Sequence, residues 1–335
     1  MEMTHNPLLL SVLNRLPGHN GWLKHSILSS CRDMKDLPEA IAEYKSKRPL
    51  RSKGRIPEAD RLLREAETEL RRLKYYRIGY KVLGESDYPA SLALIEDPPL
   101  LLYYRGTPAF NRKPGIAIVG TRRPSGSAMR QAYQLGLEFS LADYPVISGL
   151  AFGIDRAVHE GALDGYGATW AVLAGGLDRP SPLSHRRLAS KILDKGGALI
   201  GEITPGTYPA KYAFPRRNRI LSGLSRGCIV VQAPSGSGAL ITADFALDQN
   251  RDLYVASSGL EGASSDGTRN LERQGAPVIS GISDVMRDWG RFMDIPTVDN
   301  VPGPGGSDDL ARMMKTELDG RLYRYMGGWF EYRGA

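Results

Sequence analysis

The feature that most constrains this chain is an alternation. Between Gly115 and Val255, apolar runs of three to five residues (116–119, 145–148, 169–173, 198–200, 228–231 and 252–255) alternate with helix-patterned segments (125–141, 154–163, 185–195, 217–224 and 242–249). Strands this uniformly apolar need cover on both faces, and strand–helix alternation supplies it by burying a parallel sheet between helices. Right-handed crossovers then give an α/β fold with an extended Rossmann-like, doubly wound, mostly parallel sheet.

The flanks read differently. In residues 1–77, Leu9, Val12, Leu13 and Leu16 fall at helical spacing before Pro17 and Gly18 break the run, and Leu62, Leu63, Ala66, Leu70 and Leu73 share one face of a second, longer helix. These make a small helical N-terminal domain, with the basic 45–55 run as an exposed linker. Residues 78–285 form the Rossmann-like domain. The Pro/Gly-rich 300–306 stretch makes 286–335 a linker and a short tail with one helix candidate.

Charge narrows the partners. The net charge is +7 and the isoelectric point about 9.3, which favours polyanions, because Lys and Arg neutralise phosphates and release counterions. Cys31 and Cys228 have neither disulfide-framework nor zinc-ligand spacing, so a reducing cytoplasm is the expected compartment and no metal site is expected. No apolar run reaches the roughly eighteen residues of a membrane helix, and residues 1–10 lack the pattern of a secretory signal.

In an open parallel sheet, ligands bind beyond the carboxyl ends of the strands, at helix N-termini. Four such ends carry chemistry. After the first strand, Gly120 permits a tight turn, Thr121 and Ser125 offer hydroxyls, and Arg122 and Arg123 offer cations for phosphates or bases. After the second, Ser148 and Gly149 open a small-residue turn that leads to Asp155 and His159, spaced as a helix-start carboxylate and a structural histidine. The third, residues 211–219, sets Lys211, Arg216, Arg217 and Arg219 among Tyr212, Phe214 and Asn218. Cations that track phosphates and rings that stack on unpaired bases are what single-strand binding needs. The fourth is the glycine-rich turn with Ser237 and Gly238, whose amides suit a phosphate. No nucleophile accompanies the Asp155–His159 pair, so no catalytic residue is assigned and an enzyme is not expected.

Read in order, these motifs resemble the DNA-processing protein A (DprA/Smf) family. The resemblance covers residues 80–280 and runs from Tyr88, Pro89, Ala90, Ser91 and Leu92 through Asp97, Pro98 and Pro99 to the turns above. It continues through Gly175, Gly176, Leu177 and Asp178, then Phe214 to Ile220, and closes with Thr242, Gly267 and Thr268. It implies an extended Rossmann fold, a homodimer, no required cofactor, binding of single-stranded DNA, and delivery of that strand to the RecA recombinase in natural transformation and homologous recombination. It places the DNA pocket on Arg122, Lys211, Phe214, Arg217, Asn218 and Arg219. The full expected contact set adds Gly120, Thr121, Arg123, Ser148, Gly149, Ser237 and Gly238. This chain departs from the family pattern at Ser181 and His185, at Gln232, at residues 256–259 and at Arg269. The family's C-terminal winged helix is expected to be absent or degraded.

Two other readings fit less well. A Rossmann-like nucleotide hydrolase of the phosphoribohydrolase kind carries a Pro-Gly-Gly-x-Gly-Thr loop followed by Glu; Gly236 and Gly238 only echo it, and no Glu follows within 242–247. A dinucleotide dehydrogenase needs Gly-x-Gly-x-x-Gly after the first strand, which the sequence after Gly120 does not supply.

Overall fold

A computed structural model describes residues 5–18, 20–31, 33–48, 56–165, 169–291, 297–301, 307–318, 322–325 and 328–333. Four helices come first: α1 (Pro7–Arg15), α2 (Gly21–Ser30), α3 (Leu37–Lys47) and α4 (Ala59–Tyr76). The sheet region follows as β1 (Gly79–Val82), α5 (Ala90–Ala93), β2 (Leu101–Gly106), β3 (Gly115–Val119), α6 (Gly126–Leu141), β4 (Val146–Ser148), α7 (Ile154–Asp164) and β5 (Thr169–Val172). It continues through α8 (Arg186–Asp194), β6 (Ala198–Gly201), α9 (Ala213–Gly223), β7 (Ser225–Val230), α10 (Gly238–Asp248), β8 (Asp252–Ala256), α11 (Asp266–Arg273), β9 (Val278–Ile279) and α12 (Ile282–Asp288).

The α/β expectation holds, with an antiparallel extension that the alternation does not announce. Nine strands lie in the order β1-β2-β6-β5-β4-β3-β7-β8-β9, parallel from β6 to β9, while β1 and β2 pair antiparallel at the β6 edge. From β3 the chain winds one way through β4, β5 and β6. It then crosses back to lay β7, β8 and β9 on the other side. The β3/β7 boundary is therefore the topological switch point, where a crevice opens at the carboxyl edge.

Strand periodicity explains the double burial. Ile116 and Ile118 point into a core built with α6, α7 and α12, whereas Ala117 and Val119 point into the opposite core. That second core is continuous with the N-terminal helices: Leu9, Leu13, Ile27, Tyr44 and Leu62 join the same cluster as Tyr103 and Leu199. A buried polar knot ties the same junction, where Glu69 on α4 accepts from Ser11 Oγ at 2.6 Å, pairs with Arg15 at 3.0 Å, and accepts from the Tyr103 hydroxyl. Of the 45–55 run expected as a linker, residues up to Lys47 belong to α3, and 49–55 lie outside the described residues.

Beyond residue 285, where a linker and short tail are expected, the chain forms β10 (Thr297–Val301), α13 (Ser307–Leu318), β11 (Leu322–Tyr325) and β12 (Gly328–Arg333). The three strands make a separate antiparallel sheet in the order β10-β12-β11. Most of the Pro/Gly run itself, 302–306, lies outside the described residues.

Candidate nucleic-acid interface

The crevice at the switch point is a groove of about 440 Å³. Its floor is stitched by backbone bonds between loops. Thr121 N donates to the Gln232 carbonyl at 2.7 Å, joining the turns after β3 and β7, and Ile154 N donates to the Thr121 carbonyl at 3.2 Å, joining the start of α7. Close approach requires glycine here. A Cβ on Gly120 would stand 2.5 Å from Ile154 Cγ1, and one on Gly153, whose φ is +74°, would stand 2.4 Å from the Thr121 carbonyl. Gln232, one of the departures from the family pattern, is buried and acts as a clamp. Its Oε1 accepts from Ser125 N at 2.8 Å, and its Nε2 donates to the Glu261 carbonyl at 3.1 Å.

Out of this locked turn Arg122 and Arg123 project into solvent, with no carboxylate within 4 Å among the described residues. Thr121 Oγ1 accepts from Arg123 N at 3.2 Å and so shapes the turn. Across the groove, Phe214 is half-buried, and the Arg122 guanidinium lies over its ring, 5.8 Å from the centroid.

The 211–219 segment, expected as a loop, is the entry of α9, which starts at Ala213 with Pro215 in its first turn, where a missing N–H costs no hydrogen bond. Helical geometry then sorts its side chains. Phe214, Arg217, Asn218 and Leu221 stand at i, i+3, i+4 and i+7 and line the groove as one face. Arg216 and Arg219 belong to another face. Lys211 is exposed just before the helix and lies outside the groove lining.

This sorting corrects the expected contact set. Arg219 is buried and ion-paired with Glu202 at 2.7 Å and Asp97 at 3.3 Å, so its charge is spent inside the protein. Ser148 is fully buried, and its hydroxyl donates to the Ile118 carbonyl at 2.7 Å, so it presents nothing to solvent. Arg217 lines the groove but is 7% exposed. It donates to the Val172 carbonyl, packs where a Gly149 Cβ would sit 2.3 Å from its Nη1, and has its pKa lowered by burial against the opposing pull of Asp155. It is a positive floor beneath the groove, with Gly149 underneath as packing space. Asn218 Nδ2 donates to the Gly238 carbonyl at 3.1 Å, which holds α9 against the start of α10.

At that start, the Ser237 hydroxyl accepts from Ala239 N at 3.3 Å, and Gly238 is exposed with open space at its Cα. The N-terminus of α10 therefore faces the groove with its positive dipole end. Pro234, Ala239, Thr242 and Ser264 complete the wall. The expected contact set lacks these four; the strand–turn–helix context of 230–242 marks Pro234, Ala239 and Thr242, and no sequence signal marks Ser264.

Asp155 and His159 do not pair. Asp155 is buried, accepts from Gly149 N at 3.1 Å and Ala151 N at 3.3 Å, and has its pKa raised by desolvation. His159 Nδ1 meets Thr169 Oγ1 at 2.8 Å; since that hydroxyl donates to the Val146 carbonyl, Nδ1 carries the proton. Burial, with the nearby His185 and Arg217, lowers its pKa to about 3, so the ring is neutral and structural. Among the described residues no group of three His, Cys, Asp or Glu side chains is placed to hold a metal. What the groove offers is a set of anion-binding positions around an accessible ring.

The profile of the family described as DNA recombination-mediator protein A matches residues 80–290, most of the chain. This chain belongs to that family. Among its relatives in DNA recombination-mediator protein A, the DNA processing protein DprA of Streptococcus pneumoniae is 37% identical over 204 residues, covering 60% of this chain and 71% of that protein. Protein Smf of Escherichia coli is 36% identical over 201 residues, 60% of this chain and about half (54%) of that one. Of solved structures, the Streptococcus pneumoniae DprA superimposes with a TM-score of 0.69 at 27% identity, covering 85% of this chain and 99% of that one. DNA processing protein A from Helicobacter pylori, described for its single-stranded DNA binding mode, superimposes with a TM-score of 0.57 at 26% identity, covering 64% of this chain and 96% of that one. The Rossmann-like fold is common to all three chains.

Proposed function

We propose that this member of the recombination-mediator family binds single-stranded DNA without bond-making, in the groove at the carboxyl ends of β3 and β7, and delivers the strand to a RecA recombinase. The observation that carries this is the juxtaposition of Arg122 with the accessible Phe214 ring, beside the free cations Arg123 and Lys211 and the N-terminus of α10. Bases can stack on the ring while cations and helix amides hold the phosphates, a combination tolerant of sequence. Arg217 adds fixed positive charge from below.

The single-strand binding of the Helicobacter relative supports the same ligand here. Family membership supports RecA as the partner, a homodimer as the acting form, and a role in natural transformation. The free cysteines, Cys31 and Cys228, fit a reducing cytoplasm. Among the described residues, no helix is long and apolar enough to cross a membrane.

Binding is tested by fluorescence anisotropy with labelled oligo-dT against a duplex of equal length. Delivery is tested by whether the protein speeds RecA assembly on a strand coated with single-strand-binding protein. Release of base or phosphate from a nucleoside monophosphate would instead favour nucleotide hydrolysis.

A further inference from the structure

The carboxyl edge holds a second cation-over-ring pair. Tyr208 is 70% exposed, and the Arg179 guanidinium lies 5.4 Å from its ring centroid and donates to its hydroxyl. Tyr208 is exposed by construction, because the loop that carries it is fastened on both sides. Gly206 N donates to Asp178 Oδ1 at 2.8 Å, Gly176 N donates to the Thr207 carbonyl at 3.0 Å, and Pro209 packs so closely on Gly175 that a Cβ there would lie 2.9 Å from its Cδ.

This pair is continuous with the groove already described. A small crevice of about 10 Å³, lined by Gly176, Arg179, Pro209, Phe214 and Arg217, brings Arg179 of this pair together with Phe214 and Arg217 of the groove. Tyr208 and Phe214 are six residues apart in the chain, so their Cα atoms lie at most about 22 Å apart. At the start of α8, Arg186 and Arg187 are exposed, and no carboxylate lies within 4 Å of Arg179, Arg186 or Arg187 among the described residues. The edge thus carries two guanidinium–ring pairs, one at the β3/β7 boundary and one on the segments that follow β5 and β6.

We infer that the strand bound at Phe214 runs on past Pro209 to a second stacking platform made by Tyr208 and Arg179. This rests on single-strand binding at the Phe214 groove and extends it: the recognised ligand is an unpaired strand long enough to reach both rings. Guanidinium and ring together sandwich or extend a base stack, which is worth about 1–3 kcal/mol per base, or roughly 5- to 150-fold in affinity.

The experiment is a length series read by anisotropy with dT4 and dT20 on the full chain. Tyr208→Ala and Arg179→Ala each weaken dT20 binding by roughly 5-fold or more while leaving dT4 within about twofold, and Tyr208→Phe restores the long-strand affinity. Both side chains are exposed, so the truncations leave the fold intact, which a thermal melt checks. Unchanged dT20 binding in both variants overturns the second platform and leaves the Phe214 groove standing. An equal loss for dT4 and dT20 also overturns it, since Tyr208 would then only shape the first groove. Failure of the wild-type chain to bind any oligo-dT sinks the underlying reading itself.

Discussion

The Arg122 guanidinium and the Phe214 ring face each other 5.8 Å apart across the switch-point groove, one from the turn after β3 and the other from the first turn of α9. A turn held by backbone bonds and a helix held by Asn218 bring together a cation and a ring that are 92 positions apart (214 − 122). Phe214→Ala should therefore weaken oligo-dT binding by about 1–3 kcal/mol, and Phe214→Trp should preserve it. Isothermal titration with the two variants checks this; equal affinity in wild type and Phe214→Ala would remove the ring from the interface.

Lys211→Ala and Arg123→Ala remove exposed cations that carry no structural bonds. Each should lower affinity for single strands of any sequence while shifting unfolding free energy by no more than about 0.5 kcal/mol. Parallel denaturation and binding curves separate the two effects.

Arg219→Ala should behave in the opposite way. It strips a buried partner from Glu202 and Asp97, and Arg216, 2.9 Å from Glu202, compensates only in part. A stability loss near the low end of about 3–5 kcal/mol is expected, with DNA affinity of the folded fraction little changed. A urea melt and a titration below the melting transition test both halves.

Gly153→Ala tests whether the groove floor is conformationally fixed. Alanine at φ +74° is strained, and its Cβ would press on the Thr121 carbonyl at 2.4 Å, so Thr121 and Arg122 must move. A loss of about 1–3 kcal/mol in stability together with weaker strand binding is expected, whereas a neutral result would mean that the turn adapts freely.

His159 supplies a pH prediction. Its folded pKa, about 3, is below its ordinary value of 6.5, so the fold holds the neutral ring. The unfolded chain gains a proton first as pH falls. The stabilising contribution is complete above about pH 6.5 and drains away between there and pH 3. Melting temperature followed from pH 7 to 4 should fall less steeply in His159→Gln than in wild type.

Much of this was legible beforehand, for physical reasons. The β3–α6 to β8 alternation is readable because parallel strands buried on both faces are apolar at every position, as Ile116, Ala117, Ile118 and Val119 show. Arg122 and Phe214 are readable as a cation and a ring near strand-to-helix turns, the pairing that single-strand binding needs. The alignment of Phe214 with Arg217 and Asn218 was not. It depends on α9 starting at Ala213 rather than Arg217, since only then do 214, 217, 218 and 221 share a face. Ser148 misled because a serine at a strand end looks the same whether its hydroxyl meets solvent or the neighbouring strand's carbonyl. β1 and β2 went unread because their antiparallel pairing breaks the strand–helix rhythm that marks the rest.

The most direct test of the account is the salt dependence of oligo-dT binding by the wild-type chain and by Arg122→Ala. With Arg122 on a phosphate, log K falls linearly with log salt, by about 0.7 per phosphate neutralised, and Arg122→Ala both weakens binding and makes that slope shallower by about the same amount. Affinity indifferent to salt, or an unchanged slope and affinity in the variant, would contradict it.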